Sequence, residues 1–176
     1  MRAPTTPRRP RTVLGLALGL GLGTALALSP AGPGPRASAQ AQQPPQFLAI
    51  EARWCLEPNR CIALEVAATP RQQALGLQLR PPLPPLRGMW FPYAQPTPTR
   101  FWMHRTPEPL DMLFVAGGRV IAIEAAAQPC PHLPCRSYGP DEPVDGVIEL
   151  AAGQATAQGI TLGTPVRIER LPGAVP

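Results

Sequence analysis

Proline constrains this chain more than any other feature. Of its 176 residues, 27 are Pro, and beyond position 40 they recur as PP, PPLPP and PTP after short apolar runs. Proline lacks an N–H and clashes with the preceding helical turn, so no long helix can pass through such sequence. The stretches between are of strand length, and several alternate apolar with polar residues. The chain therefore reads as mainly β: a compact β-barrel or sandwich of seven or eight short strands with two short helices.

The N-terminal 39 residues follow a different logic. Arg2, Arg8, Arg9 and Arg11 occur with no acid, residues 13–29 are apolar, and a small-residue stretch ends in ASAQAQQ. That order describes a secretory signal peptide, with cleavage expected after Ala39 and Ala41 as second choice. The Arg8–Arg9 pair suits a twin-arginine route. The alternative is a membrane anchor through residues 13–29, although Gly loosens that run and it falls short of the ~20 strongly apolar residues of a span. The expected location is periplasmic or extracellular, with no membrane contact after cleavage. The net charge of +5 belongs to this segment. Five of the sixteen basic residues precede position 40, which leaves eleven Arg against eleven acids. A nucleic-acid partner needs a basic face, and none is expected here. Residues 40–46 read as a flexible lead-in, and residues 47–172 as one domain with a single core.

Four cysteines follow the leader in two close pairs. An even count in an exported chain invites disulfides, expected as Cys55–Cys61 and Cys130–Cys135, each bracketing a Pro-containing loop. Their C-x5-C and C-x4-C spacings are wider than zinc knuckles, and no C-x-x-C redox motif occurs.

Along the domain, FLAIEARW and CIALEVA read as opening strands. In TPRQQALGLQLR, Thr69 caps a helix, Pro70 suits its first position and Gln72 completes a capping box; Gly76 and Pro81 limit it to two turns. GMWFPY, residues 88–93, is an aromatic strand that Pro92 pushes toward an edge or an end. RFWMHRT, residues 100–106, is a strand by composition. LDMLFV and RVIAIE flank Gly117–Gly118, a hairpin turn. A regular ladder then sets Phe114 opposite Ile121, Met112 opposite Ile123 and Asp111 opposite Glu124. Two facing acids repel unless a cation, Arg105 or a metal ion, sits between them. DGVIEL is a strand, GQATAQG a short helix ended by Gly159, and PVRIER the closing strand.

The order of these motifs resembles the Domain of Unknown Function 192 family of small, often exported prokaryotic proteins. The matching pieces are T-P-x-x-Q-x-x-G-L at 69–77 with Arg80, G-M-W-F at 88–91, F-W-M-H-R-T at 101–106, P-L-D-M-L-F at 109–114, and I-E-L-A-A-G at 148–153 with Gly159 and Gly163. The resemblance spans roughly residues 61–170. It implies a small, mostly β fold and no assigned activity. The family usually carries Asn before the Thr of its F-W-M block, where this chain has Arg105, so a ligand bond made by that Asn is in doubt here.

The candidate site is drawn from Trp102, His104, Arg105, Asp111 and Glu124. Alternation on 100–106 sends Phe101, Met103 and Arg105 to one side and Trp102 and His104 to the other. Phe101, Met103, Met112 and Phe114 then fill the core, and Asp111 accepts backbone N–H groups of the TPEP turn or pairs with an Arg. Trp90, Tyr93 and Trp102 offer flat faces beside Arg105, Asp111 and Glu124, which suits a small polar ligand such as a sugar. Non-catalytic binding of such a ligand or of an envelope component is therefore the expected role, with no cofactor. One alternative is a hydrolase using Asp111 and Glu124 as paired carboxylates. Another is a copper binder using Met89, Met103, Met112 and His104. A Cys–His nucleophile fails if the thiols are oxidised, and Ser137 lacks a G-x-S-x-G setting.

Overall fold

The computed structural model describes residues 44–173; the expected signal peptide lies outside them. The short segments become nine strands and two helices. In chain order these are β1 (Ile50–Glu57), β2 (Arg60–Val66), α1 (Pro70–Leu75), β3 (Arg87–Thr97), β4 (Phe101–Trp102), β5 (Leu110–Ala116), β6 (Arg119–Ala127), β7 (Ser137–Tyr138), β8 (Val144–Ala151), α2 (Gln154–Ala157) and β9 (Ile168–Arg170). Seven strands form one sheet in the order β6-β5-β8-β3-β2-β1-β9, and β4 pairs with β7 apart from it. Among the described residues, no helix is long and apolar enough to cross a membrane.

The mainly β class holds, and the ladder of the large sheet stays open between β6 and β9. Residues 163–166, which lead into β9, nonetheless reach the far edge. The N–H groups of Gly163 and Val166 donate to Val120 and Gly118, and that of Val120 donates to Thr164. The curl encloses a core of Trp54, Ile62, Leu64, Leu113, Val115, Ile148 and Leu150. Trp54 is fully buried and donates its indole N–H to the Pro165 carbonyl at 3.1 Å, so its one polar group is satisfied. The opposite face of the sheet carries Met89, Phe91, Met112, Phe114 and Val147, packed with Leu77 after α1, Met103 after β4 and Tyr138 of β7.

Local chemistry sets the elements that flank this second layer. Thr69 accepts the Gln72 N–H, Gln72 returns its side-chain oxygen to the Thr69 N–H, and Pro70 begins the helix. Pro92 sits in a strand that is interior by sheet order. However, β2 accompanies β3 only as far as Trp90, so Pro92 lies where that side has no partner strand. Its missing N–H then costs nothing, and its carbonyl accepts from Gln73 at 3.0 Å. Gly146 is needed where Trp90 lies against β8, because a Cβ there would overlap the indole and the Phe91 carbonyl.

Two expectations need correction. The strand at 100–106 shrinks to Phe101–Trp102, because Arg105 adopts a left-handed φ of 58° that ends the extended run. The β5–β6 hairpin does turn through Gly117 and Gly118, both with positive φ. Its register slips, however, between Val115↔Val120 and Phe114↔Ala122, so Leu113 faces Ile123 and Met112 faces Glu124. One extra residue on β6 forms a bulge and sends the residues from Ala122 to Glu124 to the other side, until a second shift before Ala127. Asp111 and Glu124 therefore lie on opposite faces of the sheet, and no cation stands between them.

Candidate functional site

The register places one row of side chains across the second face: Glu65 of β2, Met89 of β3, Glu149 of β8, Met112 of β5 and Glu124 of β6. Two of its acids are deeply buried and meet different fates. Glu65 holds Arg80 through two bonds of 2.6 and 2.8 Å and also accepts the Leu48 N–H at 3.0 Å. A fork-to-fork pair of this kind compensates both desolvated charges. Glu149 is 4% exposed and accepts no hydrogen bond among the described residues. Its burial raises its pKa from the usual carboxylate range to about 8.

Glu149 borders a narrow cleft of about 40 Å³. One wall is α1 with the turn after it, Gln73 to Gln78; the other is Phe101, Trp102 and Thr106, with Phe91 between. Phe91 and Phe101 meet edge to face at 5.0 Å, and Trp102 is 49% exposed. A second hollow of about 240 Å³ adjoins the first across Gln73, Ala74, Phe101 and Trp102, and extends to Tyr93, Thr99 and Arg100. The Tyr93 and Thr99 hydroxyls bond at 2.9 Å. Burial, with the nearby Glu149 charge adding to it, holds the Tyr93 phenol above its ordinary pKa despite that bond.

The five residues drawn from the sequence do not converge. Trp102 borders the cleft. His104 lies beside it, its ring tilted 50° to the indole at 5.5 Å between centroids, on the same outward side. Arg105 turns into a separate hollow with Leu79, Thr106, Pro107, Pro129 and Pro131, and its Nη2 is buried without a hydrogen-bond partner among the described residues. Glu124 sits on the outer strand β6, 3.7 Å from Arg136. Asp111 is 1% exposed and faces the enclosed core. It accepts the N–H of Ala126 at 2.9 Å and of Ala155 at 2.8 Å, rather than those of the TPEP turn. Met89, Met103 and Met112 are buried in the second core layer, whereas His104 points away from it, so the mixed Met/His set is not assembled.

Glu149 was missed, and one signal could have found it. In VIEL every other residue is apolar, as in a strand buried on both faces; a lone acid there must be paired or functional. Both expected disulfides, Cys55–Cys61 and Cys130–Cys135, are formed.

The fold and its cleft are those of a small mainly β domain. The profile of the family described as Uncharacterized ACR, Domain of Unknown Function 192, matches residues 54–168, and the chain belongs to that family. Two crystal structures are similar to it. One is a protein from Sinorhizobium meliloti 1021 given the provisional name of transcription regulator: 32% identity, TM-score 0.56, covering 68% of this chain and 92% of that one. The other is a protein of unknown function from Novosphingobium aromaticivorans DSM 12444: 30% identity, TM-score 0.56, covering 68% of this chain and 83% of that one. A search of curated proteins finds no match.

Proposed function

We propose that this is an exported, non-catalytic binding protein for a small polar ligand, a saccharide or another hydroxylated component of the cell envelope, held in the hollow beside Tyr93, Thr99 and Trp102 and reaching into the narrow cleft at Glu149. The observation that carries the reading is the Glu149 carboxyl, buried at the cleft and accepting no hydrogen bond among the described residues. Leaving such a group desolvated and unpaired costs stability, and a bound ligand recovers that cost. Trp102 supplies an exposed flat face beside it, the pairing by which proteins hold sugar rings. Export rests on the leader-like N-terminus and on two disulfides, which persist in oxidising compartments.

The test is a tryptophan-fluorescence and NMR screen of the purified protein against monosaccharides and soluble wall fragments. The expected result is a saturable change with at least one of them, lost in Trp102→Ala. A screen in which no ligand alters either signal overturns the binding reading. N-terminal sequencing of protein recovered from the periplasm is expected to begin at Gln40; a start at Met1 overturns cleavage.

A further inference from the structure

We infer that Arg105 serves a second binding site, for a small organic carboxylate with an apolar body. The site is the hollow of about 410 Å³ walled by Leu79, Pro107, Pro129 and Pro131, with Arg105 and Thr106 among them. It is a different hollow from that of the saccharide reading, and the two stand or fall separately.

The first support is an unmatched charge. Among the described residues, ion pairs join Arg53, Arg60, Arg80, Arg100, Arg136 and Arg170 to acids, and Arg105 has none. Arg105 is half-buried, and its Nη2 is shielded from water without a hydrogen-bond partner among the described residues. Arg80 also has a buried unbonded nitrogen, but Glu65 meets its charge. Glu108, the acid nearest to Arg105 along the chain, borders a neighbouring hollow instead. A guanidinium so placed lacks an anion, and its planar fork matches the two oxygens of a carboxylate.

The second support is the scarcity of other donors. Three of the lining residues are Pro and have no N–H. The N–H groups of the remaining three are spent: Leu79 donates to the Arg105 carbonyl at 2.8 Å, Arg105 to that of Cys130 at 3.3 Å, and Thr106 to that of Met103 at 3.2 Å. A ligand is left with the guanidinium and the Thr106 hydroxyl, beside an aliphatic and prolyl wall. That set is too poor for a sugar or a phosphate dianion and suits one carboxylate on an apolar frame. The third support is that the site is held ready. Arg105 and Leu79, joined by one of these bonds, both have left-handed φ, 58° and 59°. Non-glycine residues keep such backbone at a cost, and it clusters at ligand sites. The Cys130–Cys135 disulfide fastens the wall that carries Pro129 and Pro131.

The test is an NMR titration of the purified protein with benzoate, its neutral counterpart benzamide, and inorganic phosphate. The expected result is saturable benzoate binding that shifts the Leu79 and Thr106 amide signals, with benzamide and phosphate each at least about tenfold weaker. Arg105→Asn removes the charge and suits the left-handed backbone; it is expected to bring benzoate down to the affinity of benzamide. Trp102→Ala is expected to leave benzoate binding unchanged, which separates this site from the saccharide hollow. Benzamide binding as tightly as benzoate, phosphate matching it, or full benzoate affinity in a natively folded Arg105→Asn overturns the inference, as does no binding of benzoate. Should Arg105→Asn lose its native spectrum, the comparison of the three probes on the wild type still decides.

Discussion

Glu149 makes stability depend on pH in a direction opposite to that of most carboxylates. Its folded pKa is raised to about 8 by burial, from an unfolded value of 4.5. Between those two values the folded chain holds a proton that the unfolded chain has released. The stabilisation is therefore fully present below about 4.5 and is lost as pH rises through about 8. Glu149→Gln, which cannot ionise, is expected to gain on the wild type by a few kcal/mol as pH goes from 5 to 8.5. Urea unfolding of both proteins at the two values measures the difference, and parallel pH profiles would contradict it. Tyr93, the other raised group nearby, remains a neutral phenol across that range. Arg105 makes the opposite point about legibility. An Asn at that position, the family's usual residue by the resemblance, tolerates left-handed backbone readily, whereas Arg does so at a cost. Nothing local in HRT announces a positive φ.

At the scale of elements, Asp111 joins three parts that no short stretch of sequence connects. Its carboxylate accepts from Ala126, which itself has a positive φ where β6 departs from regular pairing with β5. Its other oxygen accepts from Ala155 in the first turn of α2, a helix whose Gly153 cap offers no side chain. The aspartate thus satisfies an N–H at an irregularity of β6 and one at a helix end. Asp111→Ala leaves both N–H groups buried or half-buried without an acceptor and is expected to cost about 2–6 kcal/mol, at about 1–3 for each group. The urea midpoint reports this, and an unchanged midpoint would remove the structural role. The capping box of α1 and the Gly–Gly hairpin were readable beforehand, because each depends on residues within four positions of one another. The register beyond Val115 was not, because a single bulge residue reverses the facing of the side chains that follow it as far as Glu124.

For the whole molecule, two apolar layers share one sheet. The open ladder is curled by bonds from residues 163–166 to β6, and the outer face is covered by α1, β4 and β7. The disulfides sit at the margins of this arrangement. Cys55 and Cys61 face each other across the β1–β2 hairpin, and Cys130–Cys135 closes a loop after β6. Both are local, so each restrains the unfolded chain by only about 2 kcal/mol in the chain-entropy account. Reduction and alkylation are expected to lower the urea midpoint and leave the cleft's ligand response intact. Collapse of the fold on reduction would mean that the two apolar layers do not suffice.

The sequence by itself determined the class of the fold, the cysteine pairing, the helix caps and the hairpin turn. Proline spacing, alternation and capping act through neighbours along the chain, and their physics is complete within a few residues. Only the tertiary structure decided which acids share a face, that Asp111 is spent on backbone N–H groups, and that Glu149 is buried with no hydrogen-bond partner among the described residues while Glu65 has Arg80. A carboxyl's cost and use depend on what else is excluded from water beside it. For Glu149 that surrounding is assembled from α1, β3 and residues 101–106, segments far apart in sequence that meet on the outer face of the folded sheet.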